Sequence, residues 1–223
     1  MTLGRREFLR GSVAGAIVGL SPQKDIESSR PHLQAQLSPE NAIRELLAGN
    51  QRFVANRLTS IEYDLAMMKQ HTIDKQTPFA AVLACADSRV LVELLFDQPI
   101  GRLFVTRVAG NVVSPEIIAS LEYGVAVLGV GAVVVLGHTN CGAVSAAMKS
   151  EDVPGQISVL YKHLQPAVEG AAGNVQQAIE RNAMIQAGLL RSSSTVISQA
   201  LKSDKLRVAS GVYDLATGVV HLI

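Results

Sequence analysis

Two short stretches of the sequence carry the side chains best suited to do chemistry. Cys85, Asp87 and Arg89 close one apolar run, and His138 and Cys141 close another. Side chains two apart on extended backbone point the same way, so the first three can share one face. Two thiols and an imidazole suit zinc, and three protein ligands leave a fourth position open, as in catalytic zinc sites. The pattern therefore indicates a catalytic zinc site.

The spacing of these ligands leaves two other interpretations open. The familiar zinc pattern repeats a Cys-x-x-Cys pair, whereas here a single cysteine precedes a distant His-x-x-Cys. A disulfide between Cys85 and Cys141 is one alternative. Two unrelated buried thiols are the other, because free cysteine is often an ordinary core residue.

The elements that must position these side chains alternate between strand and helix. The alternation predicts right-handed βαβ units, and so an α/β fold with a mainly parallel β-sheet flanked by helices. In such sheets ligands bind beyond the carboxyl ends of the strands, where both halves of the zinc constellation lie. The predicted strands are 79–85, 102–107 and 132–137, with a terminal hairpin at 206–215 and 218–223. The predicted helices are 38–56, 61–71, 90–97, 114–128, 142–148, 156–167 and 173–201.

Composition narrows the classes of function. The chain has 223 residues, 48% of them hydrophobic, which suffices for one domain with a sizeable core. Its 20 Lys and Arg nearly balance 19 Asp and Glu, so nothing favours a nucleic acid or an anionic membrane as partner. Tryptophan is absent and aromatic residues make up only 4%, which disfavours stacking platforms for bases.

The N-terminus has a separate character, and we predict a signal segment and linker over 1–36 and a catalytic domain over 37–223. Arg5 and Arg6, followed by Phe8 and Leu9, resemble a twin-arginine export signal, although Gly4 replaces the usual Ser or Thr. The apolar run that follows is far shorter than the ~20 residues of a membrane span. The signal predicts a periplasmic or otherwise exported protein. A basic N-terminus without signal function is the alternative, and the lack of a clear cleavage site leaves membrane attachment through an uncleaved leader open.

Three motifs follow one another along the chain. Cys-Ala-Asp-Ser-Arg-Val begins at Cys85, Gly-His-Thr-Asn-Cys-Gly begins at Gly137, and Leu-Phe-Val-Thr-Arg-Val-Ala-Gly-Asn lies between them. In this order they resemble the motifs of the β-class carbonic anhydrases. The similarity runs from about Ser38 to the C-terminus. It implies one Zn²⁺ per chain, held by Cys85, His138 and Cys141 with a water as the fourth ligand. The implied reaction is the reversible hydration of carbon dioxide to bicarbonate and a proton.

The resemblance also assigns roles to residues around the zinc. Asp87 would accept a hydrogen bond from the water and orient it, and Arg89 would keep Asp87 ionised. In the plant-type branch of the family, positions matching Gln76, Phe104 and Tyr123 contact or enclose the substrate, and some reach the zinc of a neighbouring protomer. Gly142 would let a backbone N–H approach the substrate. The resemblance thus implies at least a homodimer, with the N-terminal helices packing on the partner subunit; alternatively these helices are core helices of a monomer.

One branch of the family closes its site at low pH, when the aspartate replaces water on zinc. That branch carries a Trp three residues before the first zinc cysteine, where this chain has Val82. Arg107 and Tyr123 match the other residues of its bicarbonate pocket, whereas Gln76 belongs to the open branch. We therefore expect Asp87 to be paired with Arg89 at neutral pH.

Two other functions fit the same motifs. Hydrolysis of carbon disulfide or carbonyl sulfide occurs in relatives that keep these zinc ligands, because access to the pocket rather than ligation separates the substrates. A scaffold protein that kept the fold without catalysis is the candidate from another class. The intact ligands and the intact Asp87–Arg89 pair disfavour it.

Overall fold

A five-stranded sheet forms the centre of the protein. The computed structural model describes residues 37–60, 75–150 and 152–223. Within that part of the chain the sheet has the order β2-β1-β3-β4-β5, parallel except for the last pair. The predicted α/β fold with a mainly parallel sheet is therefore confirmed. The strands are β1 (Ala80–Ala84), β2 (Leu103–Arg107), β3 (Ala132–His138), β4 (Arg207–Tyr213) and β5 (Val220–Leu222).

Helices flank the sheet at the positions that the alternating pattern predicts. Two of them begin at Ser-Pro-Glu: the hydroxyl oxygens of Ser38 and Ser114 accept the backbone N–H three residues on, which caps the helix. The helices are α1 (Pro39–Val54), α2 (Val92–Leu95), α3 (Pro115–Ala126), α4 (Gly142–Lys149), α5 (Ser158–Glu169), α6 (Val175–Ser193) and α7 (Thr195–Lys202). Short 3-10 turns lie at Ala109–Asn111 and Gly155–Ile157.

Two helix predictions need correction. The helix predicted over 173–201 is two helices, because Ser194 has extended backbone angles (φ −111°, ψ 118°). Its hydroxyl accepts the Ile197 N–H at 3.0 Å and donates to Glu122 at 2.6 Å, so local hydrogen bonds replace the continuing helix. The helix predicted over 90–97 is the single turn of α2. The helix predicted over 61–71 lies outside the described residues.

The carboxyl ends of β1 and β3 lie side by side in the sheet. β1 pairs with β3 in a register that sets Ala84 beside Leu136, and both strands are buried along their whole length. Such burial is typical of a parallel strand covered on both faces. Helices α1 and α2 cover one face, and α3, α6 and α7 cover the other. The residues that follow β1 and β3 therefore meet at one edge of the sheet.

No helix among the described residues combines the length and the apolar character that crossing a bilayer requires.

Candidate metal centre

The three predicted ligands meet where β1 and β3 end. Cys85 directly follows β1, His138 is the last residue of β3, and Cys141 precedes α4. Their sulfur and imidazole nitrogen atoms all lie within 4.8 Å of one another, and all three residues are buried. Both thiols are free, so the disulfide alternative does not describe this structure. The arrangement is a compact N/S ligand set of the kind that zinc prefers.

The imidazole of His138 is oriented for ligation. Its Nδ1 lies 2.9 Å from the carbonyl oxygen of Thr139, which places the ring proton on Nδ1 and the lone pair on Nε2. Nε2 is buried and has no hydrogen-bond partner among the described residues. A buried nitrogen lone pair costs free energy unless something binds it. This unpartnered atom beside two thiols fits a bound metal ion.

One of the two thiols, Cys85, already favours the thiolate form that a metal requires. The hydrogen bond from Cys141 lowers the pKa of Cys85 to about 4, and contacts with His138 and with the Gly110 N–H act in the same direction. The same hydrogen bond raises the pKa of Cys141, because its proton is held between the two sulfurs. A divalent cation would take the place of this shared proton and bind both sulfurs as thiolates.

The carboxylate of Asp87 faces the ligands. Its Oδ2 lies 3.9 Å from Nε2 of His138. Arg89 donates Nε–H to Oδ1 at 2.9 Å and a terminal N–H to Oδ2 at 2.8 Å, which forms the predicted pair. These hydrogen bonds hold the pKa of Asp87 well below its usual range. The site therefore presents a fixed, ionised carboxylate, which can accept a hydrogen bond from a water bound near the imidazole.

Three hydrogen bonds at the site, made by two residues, were missed from the sequence. The Arg107 guanidinium, at the end of β2, donates to the carbonyl oxygens of Cys85, at 3.0 Å, and of Asp87. The Gly110 N–H donates to Sγ of Cys85 at 3.3 Å. The sequence does contain a signal for each residue, because the strand beside β1 ends in Arg107 and Gly110 lies three residues later. Both residues fix the segment that carries the first ligand.

Gly142 lies next to the ligands, as its place after Cys141 predicts. It is the first residue of α4, where N–H groups have no partner within the helix. It is exposed, and a Cβ built on it would meet no atom within 4 Å. The space beside Gly142 is therefore open to a small ligand.

The remaining predicted site residues lie away from the ligands of their own chain. Gln76 precedes β1, so the whole strand, about 16 Å long, separates it from Cys85. Phe104 pairs with Ala81 in the lower half of β1, and its ring lies 6.2 Å from that of Tyr123. Gln76 and Phe104 therefore lie toward the end of the sheet opposite to the ligands, and Tyr123 lies beside Phe104.

Comparisons with known proteins agree with this geometry. The family model described as carbonic anhydrase matches residues 80–220, which include all three ligands. A curated protein named carbonic anhydrase 2, from Mycobacterium tuberculosis, is 33% identical over 193 residues, which cover 81% of this chain and 91% of that protein.

Solved structures show the same fold. The β-carbonic anhydrase of Coccomyxa, in complex with acetazolamide, is 27% identical with a TM-score of 0.63, over 76% of this chain and 83% of that one. One of two tetrameric β-carbonic anhydrases from Sordaria macrospora matches with a TM-score of 0.65 at 21% identity, over 82% and 97% of the two chains.

Proposed function

Because this chain belongs to the β-class carbonic anhydrase family, we propose that it hydrates carbon dioxide reversibly at the site formed by Cys85, His138 and Cys141. The observation that carries the proposal is the buried Nε2 of His138, which has no hydrogen-bond partner among the described residues and lies beside two free thiols. Stopped-flow measurement of carbon dioxide hydration tests the function. Wild-type protein should accelerate the reaction, and the Cys141→Ser variant should not.

Zinc is the metal that this ligand set fits. When bound, zinc supplies a Lewis acid that lowers the pKa of a coordinated water, to about 7 in the carbonic anhydrases with three His ligands. The two thiolates and the neutral imidazole would hold the ion. Thr139 keeps the His138 ring in the ligating tautomer through its carbonyl oxygen. The ligand set would leave one position open to water and substrate.

The Asp87–Arg89 pair is the orienting device of the proposed mechanism. Ionised Asp87 would accept a hydrogen bond from a water held beside the ligands and so direct an oxygen lone pair toward the incoming carbon dioxide. Arg89 keeps the carboxylate in place and ionised, so it does not compete for the proton being released. The N–H groups at the start of α4, beside Gly142, offer donors to the oxygens of the bicarbonate product.

Gln76, Phe104 and Tyr123 are proposed to serve the site of a neighbouring subunit. In their own chain they lie toward the opposite end of β1, and Tyr123 is 48% exposed on α3. β2, which carries Phe104, is an edge strand within the described residues. The tetrameric Sordaria macrospora enzymes support a homo-oligomer. The amide of Gln76 would then hydrogen-bond a substrate oxygen, and the two rings would exclude water.

Export is proposed on the sequence alone. Arg5 and Arg6 lie outside the described residues, so the twin-arginine resemblance is what supports a periplasmic location. Such export carries folded proteins, which suits an enzyme that takes up zinc before it leaves the cytoplasm. An uncleaved leader would attach the enzyme to the membrane, and the size of the exported protein distinguishes the two forms.

A further inference from the structure

Two buried amide side chains on α6 form a hydrogen-bonded network behind the metal centre. Asn182 is 1% exposed and Gln186, one turn later, is fully buried. Asn182 donates Nδ2–H to the Gly110 carbonyl at 2.8 Å, and Gln186 accepts the Val113 N–H at 2.8 Å. Gln186 also donates to Oδ1 of Asn182 at 3.1 Å and to the carbonyl of His163 at 3.2 Å. The network thus ties α6 to the segment after β2.

Hydrogen bonding fixes the orientation of both amide side chains. Burying an amide costs free energy unless its donors and its acceptor find partners. Here both N–H groups of Gln186 and the carbonyl oxygens of both amides are bonded, so neither side chain can rotate without losing a partner. Apolar residues would fill this face of α6 without that cost. The polar pair is therefore explained by what it holds, which is the backbone from Gly110 to Val113.

Gly110 links this network to the metal centre. Its φ of 74° lies in the region open mainly to glycine, and an added Cβ would come within 3.2 Å of Leu164. A free glycine would sample many conformations. Here the Asn111 N–H closes a turn onto Val108 at 2.9 Å, and Asn182 holds the Gly110 carbonyl. The same residue then directs its own N–H at Sγ of Cys85.

We propose that Asn182 and Gln186 are positioning residues for the zinc: they hold Gly110 so that its N–H stays donated to the Cys85 sulfur. An N–H donor withdraws electron density from a thiolate. The thiolate then cancels less of the metal's positive charge, and the zinc remains a stronger Lewis acid despite its two sulfur ligands. This inference rests on the proposed zinc site. It adds that helix α6, which contributes no ligand, controls the metal's acidity.

Cobalt substitution gives a spectroscopic test. The wild-type Co²⁺ protein should show sulfur-to-cobalt charge-transfer bands, and Asn182→Leu should move them to longer wavelength because the sulfur regains electron density. The kcat of the zinc form should fall about 10- to 100-fold, the range typical of residues that support metal ligands. Gln177→Leu is the matched control, since it removes an exposed amide from the same helix. A folded Asn182→Leu protein with unchanged bands would overturn the proposal.

A measurement on wild-type protein covers the case in which Asn182→Leu does not fold. NMR of the cadmium-substituted protein should show scalar coupling between the metal and the Gly110 amide proton, transmitted through the Cys85 sulfur. Gln186→Met, which keeps the volume but releases Val113, should weaken that coupling. Bound cadmium without coupling to Gly110 overturns the positioning role alone. Failure to bind the metal would instead contradict the proposed function.

Discussion

Arg89 forms a bidentate salt bridge with the Asp87 carboxylate, with Nε 2.9 Å from Oδ1 and a terminal nitrogen 2.8 Å from Oδ2. The backbone N–H of Arg89 also donates to Oδ1, at 3.0 Å, which is the third hydrogen bond to the carboxylate. Parallel bonds of this kind fix orientation as well as charge. The carboxylate is therefore held with Oδ2 3.9 Å from Nε2 of His138, where it can accept a hydrogen bond from a water beside the ligands.

Replacing Arg89 should impair turnover while leaving the metal in place. Arg89→Ala removes both side-chain bonds, so kcat for carbon dioxide hydration should fall about 10- to 100-fold, as for other residues that orient a metal site. Arg89→Lys keeps the charge but loses the bidentate geometry of the guanidinium group. Its kcat should therefore lie between that of Arg89→Ala and that of the wild-type protein. Measuring the zinc content together with stopped-flow kinetics separates a loss of turnover from a loss of metal. Full activity in Arg89→Ala would remove the orienting role.

Asp97 offers a test of how the end of α1 and the residues that follow it are held in place. Its side chain is inaccessible and accepts hydrogen bonds from Arg52 Nε at 2.5 Å, from the Thr59 N–H at 2.8 Å and from the Ser60 N–H at 2.9 Å. Burial by itself raises the pKa of Asp97, but these bonds together outweigh burial and lower it below the ordinary aspartate value. The ionised form is therefore the one that stabilises the fold.

Asp97→Asn should lower the free energy of unfolding at neutral pH by about 2 kcal/mol, because the bonds lose their charge and one donor meets an NH₂ group. A depressed folded-state pKa gives stability that is present above the unfolded value, about 3.9, and is lost as pH falls through the folded value. Urea unfolding across pH should show the difference shrinking in acid. Asp152→Asn, at an exposed position, is the control. A difference constant with pH would argue against an ionised Asp97.

The meeting of the ligands was predictable because two of them close unmistakable apolar runs, whereas the choice of a metal over a disulfide rested on the resemblance of the motifs to a known family. Cys85 and His138 end such runs, and parallel strands bring their carboxyl ends together. The contacts of Asn182 and Gln186 were not predictable, since their partners lie about seventy residues earlier and polar residues on a helix are ordinary in sequence. The break at Ser194 is not marked by a glycine or a proline; its signal in the sequence is the run of Ser and Thr over 192–195, which is weaker than the apolar period on both sides.

Complementation between subunits tests the proposed placement of Gln76. Gln76→Ala keeps the metal ligands, and Cys141→Ser keeps Gln76. If Gln76 acts across an interface, a mixed oligomer contains a site with both groups intact, and co-expressed variants should be more active than the sum of each alone. Cys85→Ser with Cys141→Ser is the matched control, because both variants damage the same half of the site. The absence of any gain from the first pair would place Gln76 outside the neighbouring site.

The export proposal is tested by changing Arg5 and Arg6 to lysine. A twin-arginine route requires the arginines themselves, so the double variant should accumulate as active enzyme in the cytoplasm. Fractionation of cells with activity measured in each compartment reports the outcome. Unimpaired export of the variant would assign the leader to another route.

Removal and return of zinc test the central claim most directly. Stopped-flow hydration of carbon dioxide is measured on the purified protein, on protein stripped with a chelator, and during titration with Zn²⁺. The account predicts that activity disappears with the metal and returns in proportion to zinc up to one ion per chain, while Cys141→Ser neither holds the ion nor responds to it. Hydration that persists in metal-free protein, or a full zinc content in Cys141→Ser, would contradict it.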